Sequence, residues 1–152
     1  MIKRLKTIFG DLVGDAADDS RPGHEHNIAL AVAALMVEVM MQDGRLDVAE
    51  KGVIAKLLQR RFELTVEDIH KLMERATLAA DKAHDLFQFT SRIIKGYPIN
   101  QRSDIIRELW QVAMADGHVD AYEEQLIRRI AELIGVHHHH FIDAKIQARQ
   151  GL

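Results

Sequence analysis

The sequence predicts an all-α fold: a compact bundle of about seven helices preceded by an N-terminal amphipathic helix. Three observations carry that expectation. From Asn27 onward apolar residues recur at helical spacing, and no segment sustains the period-two alternation of a half-buried strand. The two prolines, Pro22 and Pro98, both fall in expected connections. An acidic signature, Asp-Gly-x-Leu/Val-Asp-x-x-Glu, is written twice, each time between two helical runs. Its copies are Asp43-Gly44-Arg45-Leu46-Asp47-Val48-Ala49-Glu50 and Asp116-Gly117-His118-Val119-Asp120-Ala121-Tyr122-Glu123. The chain therefore reads as an internally duplicated helix–turn–helix, two similar three-helix halves joined by a fourth helix.

Residues 1–26 form a unit apart from the domain expected over 27–152. Ile2, Leu5, Ile8, Phe9, Leu12 and Val13 fall at helical spacing, with Lys3, Arg4 and Lys6 on the other side. The run is too short for a membrane span and has no signal-peptide cleavage pattern. Two readings of residues 2–13 stand side by side. One is an amphipathic helix packing on its own domain or on a partner; the other is a basic helix touching anionic lipid. Gly14 to His26, with three aspartates, Ser20, Pro22 and Gly23, reads as a linker.

The helices of the domain follow in order. Ile28 to Met41 is apolar on nearly every face and carries one charge, Glu38, which suggests a central helix surrounded by others. A second helix runs from about Asp47 to Phe62. Thr65 caps a third, with a stripe of Val66, Ile69, Met73 and Ala76. Leu86, Phe89 and Ile93 mark a fourth, closed by Gly96 and Pro98. Asn100 suits the cap of a fifth, which reaches Asp116 through Ile105, Ile106, Leu109, Trp110 and Ala113. The sixth goes from Asp120 to Ile134 and stops at Gly135, and the last carries Phe141, Ile142 and Ile146.

Composition narrows the class. A chain of 152 residues is long enough to bury a real core as one domain. Its 47% apolar and 28% charged residues are the balance of an ordinary globular protein. With no cysteine there is no disulfide framework, thiolate metal site or thiol nucleophile, which fits a cytoplasmic protein, free or at the inner membrane surface. A net charge of -3 makes no case for nucleic acid.

Most of the repeated signature has a purely structural reason. Gly44 and Gly117 suit the left-handed residue that ends a helix. Leu46 and Val119 are expected to point inward and set the angle between the helices. Asp47 and Asp120 are good N-caps, and Glu50 and Glu123, three residues on, complete capping boxes. The first aspartates, Asp43 and Asp116, are left unexplained, because the last turn of a helix disfavours negative charge. Three carboxylates at one turn repel unless something positive sits among them. Hard oxygen donors of this kind suit Ca²⁺, Mg²⁺ or Mn²⁺, although the spacing is not that of an EF-hand. The candidate ligands are Asp43, Asp47, Glu50, Asp116, Asp120, Glu123 and Glu124. The alternative is an ordinary salt-bridge corner, with Arg45 or a lysine neutralising the first cluster.

Glu38-Val39-Met40-Met41-Gln42-Asp43-Gly44 and Val112-Ala113-Met114-Ala115-Asp116-Gly117, each with its trailing Asp-x-x-Glu, resemble the TerB (tellurite-resistance) family. That fold also resembles the helical domain ahead of the J domain in a membrane-anchored DnaJ-like co-chaperone. The resemblance covers roughly Asn27 to Ala148. It implies an all-helical bacterial domain linked to metal or oxyanion stress, with a cation-binding acidic surface and no established enzymatic activity.

Two further features stand outside the signature. Glu38, in so apolar a helix, is expected to be substantially buried, with a raised pKa unless it is paired; the plainer reading is a hydrogen-bond partner tying helices together, and Gln111 occupies its place in the second repeat. In the run His137-His138-His139-His140, His137 and His140 share a helix face suited to Zn²⁺ or Ni²⁺. The plainer reading is an exposed helix start, with His137 in the cap position that Thr65 holds in the first half.

Nothing points to catalysis: there is no Gly-rich phosphate loop, Gly-x-Ser-x-Gly, His-Glu-x-x-His or His-Pro-Asp tripeptide. Two functions from different classes follow. One is a stress-response domain binding a divalent cation at the duplicated acidic turns. The other is a non-catalytic helical scaffold that binds a protein partner, co-chaperone-like and without metal.

Overall fold

The computed structural model describes residues 22–41, 46–115 and 117–151, with side chains from residue 27 onward. The N-terminal segment 2–13, the linker as far as residue 21, and Asp43, Gly44, Arg45 and Asp116 lie outside the described residues.

A helix that is apolar on every side has to be surrounded, and the first one is. In Pro22–Met40 (α1), Ala31 to Val37 and Val39 are fully buried, and the alanines among them let neighbouring helices approach closely. The helix begins five residues before the expected start at Asn27. Pro22 is suited to a first helical position, and the polar residues after it carry no apolar signal.

Val48–Phe62 (α2) follows its expected bounds and buries Ile54, Leu57 and Leu58. Glu63 closes it in the left-handed region (φ 53°), donating its N–H to Gln59 O at 2.8 Å. Val66–Lys82 (α3) starts on Thr65, whose Oγ1 accepts the Asp68 N–H at 3.2 Å. Its buried stripe is Ile69, Leu72, Ala76 and Ala80, which leaves Val66 on the flank, 78% exposed, against the expectation that it faces inward.

Phe87–Gly96 (α4) joins the halves through Phe89, Thr90 and Ile93. Ile99–Ala113 (α5) is the second central helix, with Ile105, Ile106, Leu109, Trp110, Val112 and Ala113 buried. Asn100 does not cap it. The helix has already begun at Ile99, and the Pro98 carbonyl accepts the Gln101 N–H at 2.9 Å.

Ala121–Leu133 (α6) buries Ile127, Ile130 and Ala131 and is followed by Gly135 at φ 77°. His138–Gly151 (α7) buries Phe141, Ala144 and Ala148; Ile142 and Ile146, the other apolar residues that marked this helix, are exposed on the adjoining face. Among the described residues the chain is all-α, and no helix is long and apolar enough to cross a membrane.

The duplication is visible in the packing. α1 lies on α2 and α3 as α5 lies on α6 and α7, and across the halves α1 meets α6 while α5 meets α2. Two polar links lock this arrangement. Arg102 donates from Nε to Tyr97 O (2.9 Å), from Nη1 to Ile134 O (3.0 Å) and from Nη2 to Ile94 O (3.1 Å), binding the ends of α4 and α6 to the start of α5. Arg61 of α2 forms a two-pronged ion pair with Glu108 of α5. Burial works against the Arg61 charge. The hydrogen bonds and charge of Glu108 outweigh it, holding the guanidinium pKa above its ordinary value.

Candidate acidic turns

Each turn sits where a central helix gives way to the second helix of its half. In the second half the end of α5 unwinds through Met114 N–H to Trp110 O (2.9 Å) and Gly117 N–H to Met114 O (2.9 Å). Gly117 has φ 81°, the left-handed backbone expected of it, at little cost without a Cβ. Leu46 and Val119 are half-buried against the core, so each turn is anchored by an apolar side chain.

The caps are near-copies of one another. Asp47 (φ -80°, ψ 173°) and Asp120 (φ -83°, ψ 166°) share one backbone conformation. Glu50 N–H donates to Asp47 Oδ1 at 2.8 Å, and Asp47 N–H to Glu50 Oε1 at 3.1 Å. The second box has the same lengths, with Glu123 N–H to Asp120 Oδ1 at 2.8 Å and Asp120 N–H to Glu123 Oε1 at 3.1 Å. One oxygen of each aspartate is thereby committed to the helix. The other takes no hydrogen bond among the described residues.

The predicted ligands thus fall into three groups. Asp47 with Glu50, and Asp120 with Glu123, are brought together in pairs by the capping boxes. Glu124 is drawn to Lys145, whose Nζ donates to its Oε1 at 3.0 Å. Asp43 and Asp116 lie outside the described residues. Among the described residues no three His, Cys, Asp or Glu side chains assemble into a metal-holding group. The donor set at the turns is hard oxygen, of the kind that Ca²⁺, Mg²⁺ and Mn²⁺ prefer.

Lys145 was not legible as a partner, since it lies a full helix away in sequence. Its Nζ also stands 5.0 Å over the Trp110 ring, which packs 5.4 Å from Phe141. A chain of contacts therefore runs from the second acidic turn through Lys145 to the only tryptophan.

The histidine run opens α7 and is exposed throughout, with the His139 and His140 rings 3.9 Å apart and His138 stacked on Phe141. Glu38 is half-buried, and burial raises its pKa, as expected. Gln111, its counterpart, is more deeply buried.

The family model described as Tellurite resistance protein TerB matches residues 29–146. Neither the curated proteins nor the solved structures compared with the chain gave a match. The matched span contains both acidic turns and runs from α1 into α7, over most of the chain. The duplicated all-helical protein thus belongs to the TerB family, which is associated with tellurite resistance.

Proposed function

We propose that this chain is a non-catalytic stress-response protein that takes up a divalent cation at its duplicated acidic turns. One observation carries the reading: two turns far apart in sequence keep the same caps, with the same bond lengths and one aspartate oxygen each that takes no hydrogen bond among the described residues. A capping box uses only one of the two aspartate oxygens. Asp47, Glu50, Asp120 and Glu123 would hold the ion together with Asp43 and Asp116, and Glu124 would join after release from Lys145. A bound ion would relieve carboxylate repulsion and stiffen the angle between the helices of each half.

Calorimetric titration of tag-free, chelator-treated protein with Ca²⁺, Mg²⁺, Mn²⁺ and Zn²⁺ tests this. Asp120→Asn is the informative variant, because asparagine keeps the N-cap and removes the charge. Saturable heat that weakens in the variant at unchanged stability supports a cation site. No heat with any ion turns the motif into a pair of caps.

A second reading, a scaffold for a protein partner, draws on an apolar cavity of about 780 Å³ beside the first turn, lined by Leu46, Ile69, Met73 and the exposed Val66 and Leu78. Cross-linking in cells followed by identification of captured chains tests it, with Leu78→Glu as the control that should abolish capture.

A further inference from the structure

At one cavity the chain gathers positive charge. A cavity of about 540 Å³ lies between α2, α5 and α7. Arg60 and Arg61 of α2, Arg107, Glu108 and Gln111 of α5, and Gln147 of α7 line it. Three guanidiniums thus share the cavity with one carboxylate, and that carboxylate is already taken: both Glu108 oxygens accept from Arg61. Among the described residues the charge partner of Arg107 is the half-buried Asp104, 3.4 Å away and one turn back on its own helix. Among the described residues no carboxylate pairs with Arg60.

Gln111 is the second, independent sign. The residue is 8% exposed, and its amide, which lines the cavity, makes no hydrogen bond among the described residues. The amide nitrogen lies at the cavity wall, 3.4 Å from where a Cβ on Gly151 would stand.

The duplication offers a comparison. Gln111 holds the repeat position that Glu38 holds in the first half. Glu38 lines a mate cavity of about 230 Å³, which Arg129 of α6, the second helix of the other half, also lines. In the larger cavity Arg60 and Arg61 again come from the second helix of the other half, with Arg107 from α5 itself, but the matching position of the central helix offers a neutral amide. Among the described residues the cavity holds no carboxylate besides Glu108.

We propose that the α2–α5–α7 cavity binds a phosphate-class oxyanion between Arg60, Arg107 and the Gln111 and Gln147 amides. Donors arriving from three helices suit a tetrahedral anion better than a planar carboxylate, which one guanidinium satisfies alone. Arg61, fixed by Glu108 and lying 5.4 Å over the Tyr97 ring, adds positive potential without changing partner.

The test titrates the chain with inorganic phosphate, followed by calorimetry and by the NMR signal of the Gln111 side-chain amide, with chloride at matched ionic strength as reference. Saturable binding that shifts the Gln111 amide is expected. The double variant Arg60→Gln/Arg107→Gln should weaken it by about tenfold or more, with its unfolding midpoint in chloride unchanged. Gln111→Glu should supply a negative charge internally and abolish binding. Glycerol phosphate binding more tightly than inorganic phosphate identifies an ester as ligand; equal affinity identifies the free anion. An effect reproduced by chloride, or phosphate affinity unchanged in the double variant or in Gln111→Glu, overturns the proposal.

Discussion

Truncating Glu108 to alanine is expected to destabilise the protein by about 3 kcal/mol. The Arg61 and Glu108 side chains are 14% and 10% exposed, so little water screens the pair. Both carboxylate oxygens are engaged, Oε1 accepting from Nε at 2.7 Å and Oε2 from Nη2. Alanine leaves the guanidinium over the Tyr97 ring with no carboxylate partner among the described residues. Removing one partner of a buried pair costs about 3–5 kcal/mol. The lower end applies because the pair borders an open cavity, where water can reach Arg61 in the variant. In a domain of this size the melting midpoint then falls by roughly 6–12 °C. Urea unfolding followed by far-ultraviolet circular dichroism measures the loss directly. Arg61→Ala should cost about as much, while Arg61→Met/Glu108→Leu should stay within about 1 kcal/mol of the parent, since neither partner is stranded. Single losses below about 1 kcal/mol, or losses that simply add in the double alanine variant, would refute the reasoning.

Other expectations follow from the same geometry. Asp47→Ala and Asp120→Ala each lose a cap and about 1 kcal/mol, whereas the asparagine variants stay near the parent; equal losses for alanine and asparagine would contradict the capping account. Gly135→Ala should cost about 1–2 kcal/mol, because φ is +77° and the new Cβ would meet Ile99 Cδ1 at 3.3 Å. Gly52→Ala, with open space around an exposed position inside α2, should stabilise by about 0.5–1 kcal/mol; urea midpoints rank the two variants. Burial raises the Glu38 pKa, so its contribution to stability is fully present below its unfolded value of 4.5 and is lost as pH rises through the folded value. The stability difference between parent and Glu38→Gln should therefore move in the variant's favour as pH rises; a flat difference would remove Glu38 from the titration. Cation uptake at the second turn should change Trp110 emission through Glu124 and Lys145, and Lys145→Met should suppress that signal while calorimetric binding persists.

Local chemistry was the part of this chain that its sequence exposed. Asp47, Thr65 and Asp120 act as caps because a cap needs only its own next three residues. α1 is central because no face of it can meet water. Periodicity alone was insufficient where a choice between neighbouring faces depends on another helix. Val66, Ile142 and Ile146 are apolar and correctly spaced, yet the stripes through Leu72 and through Phe141–Ala144–Ala148 are the ones covered. Asn100 lost its cap to the proline two residues before it, whose extended backbone starts the helix sooner. The acidic pairs were readable as near neighbours in sequence. Lys145 against Glu124, Arg61 against Glu108 and the arginines around Gln111 were not, because each joins helices whose approach only the assembled bundle decides.

The crossing of the halves, α1 on α6 and α5 on α2, has a consequence for how such a protein can be divided. A chain carrying one half alone would leave the apolar flank of its central helix in water, and would be stable only when a second copy covered it. Two such copies, each offering its central helix to the second helix of the other, would form a closed, self-complementary dimer about a true two-fold axis. Joining them through α4 makes that association independent of concentration. It also releases the two halves from identity, so that one central helix can carry a carboxylate where the other carries an amide.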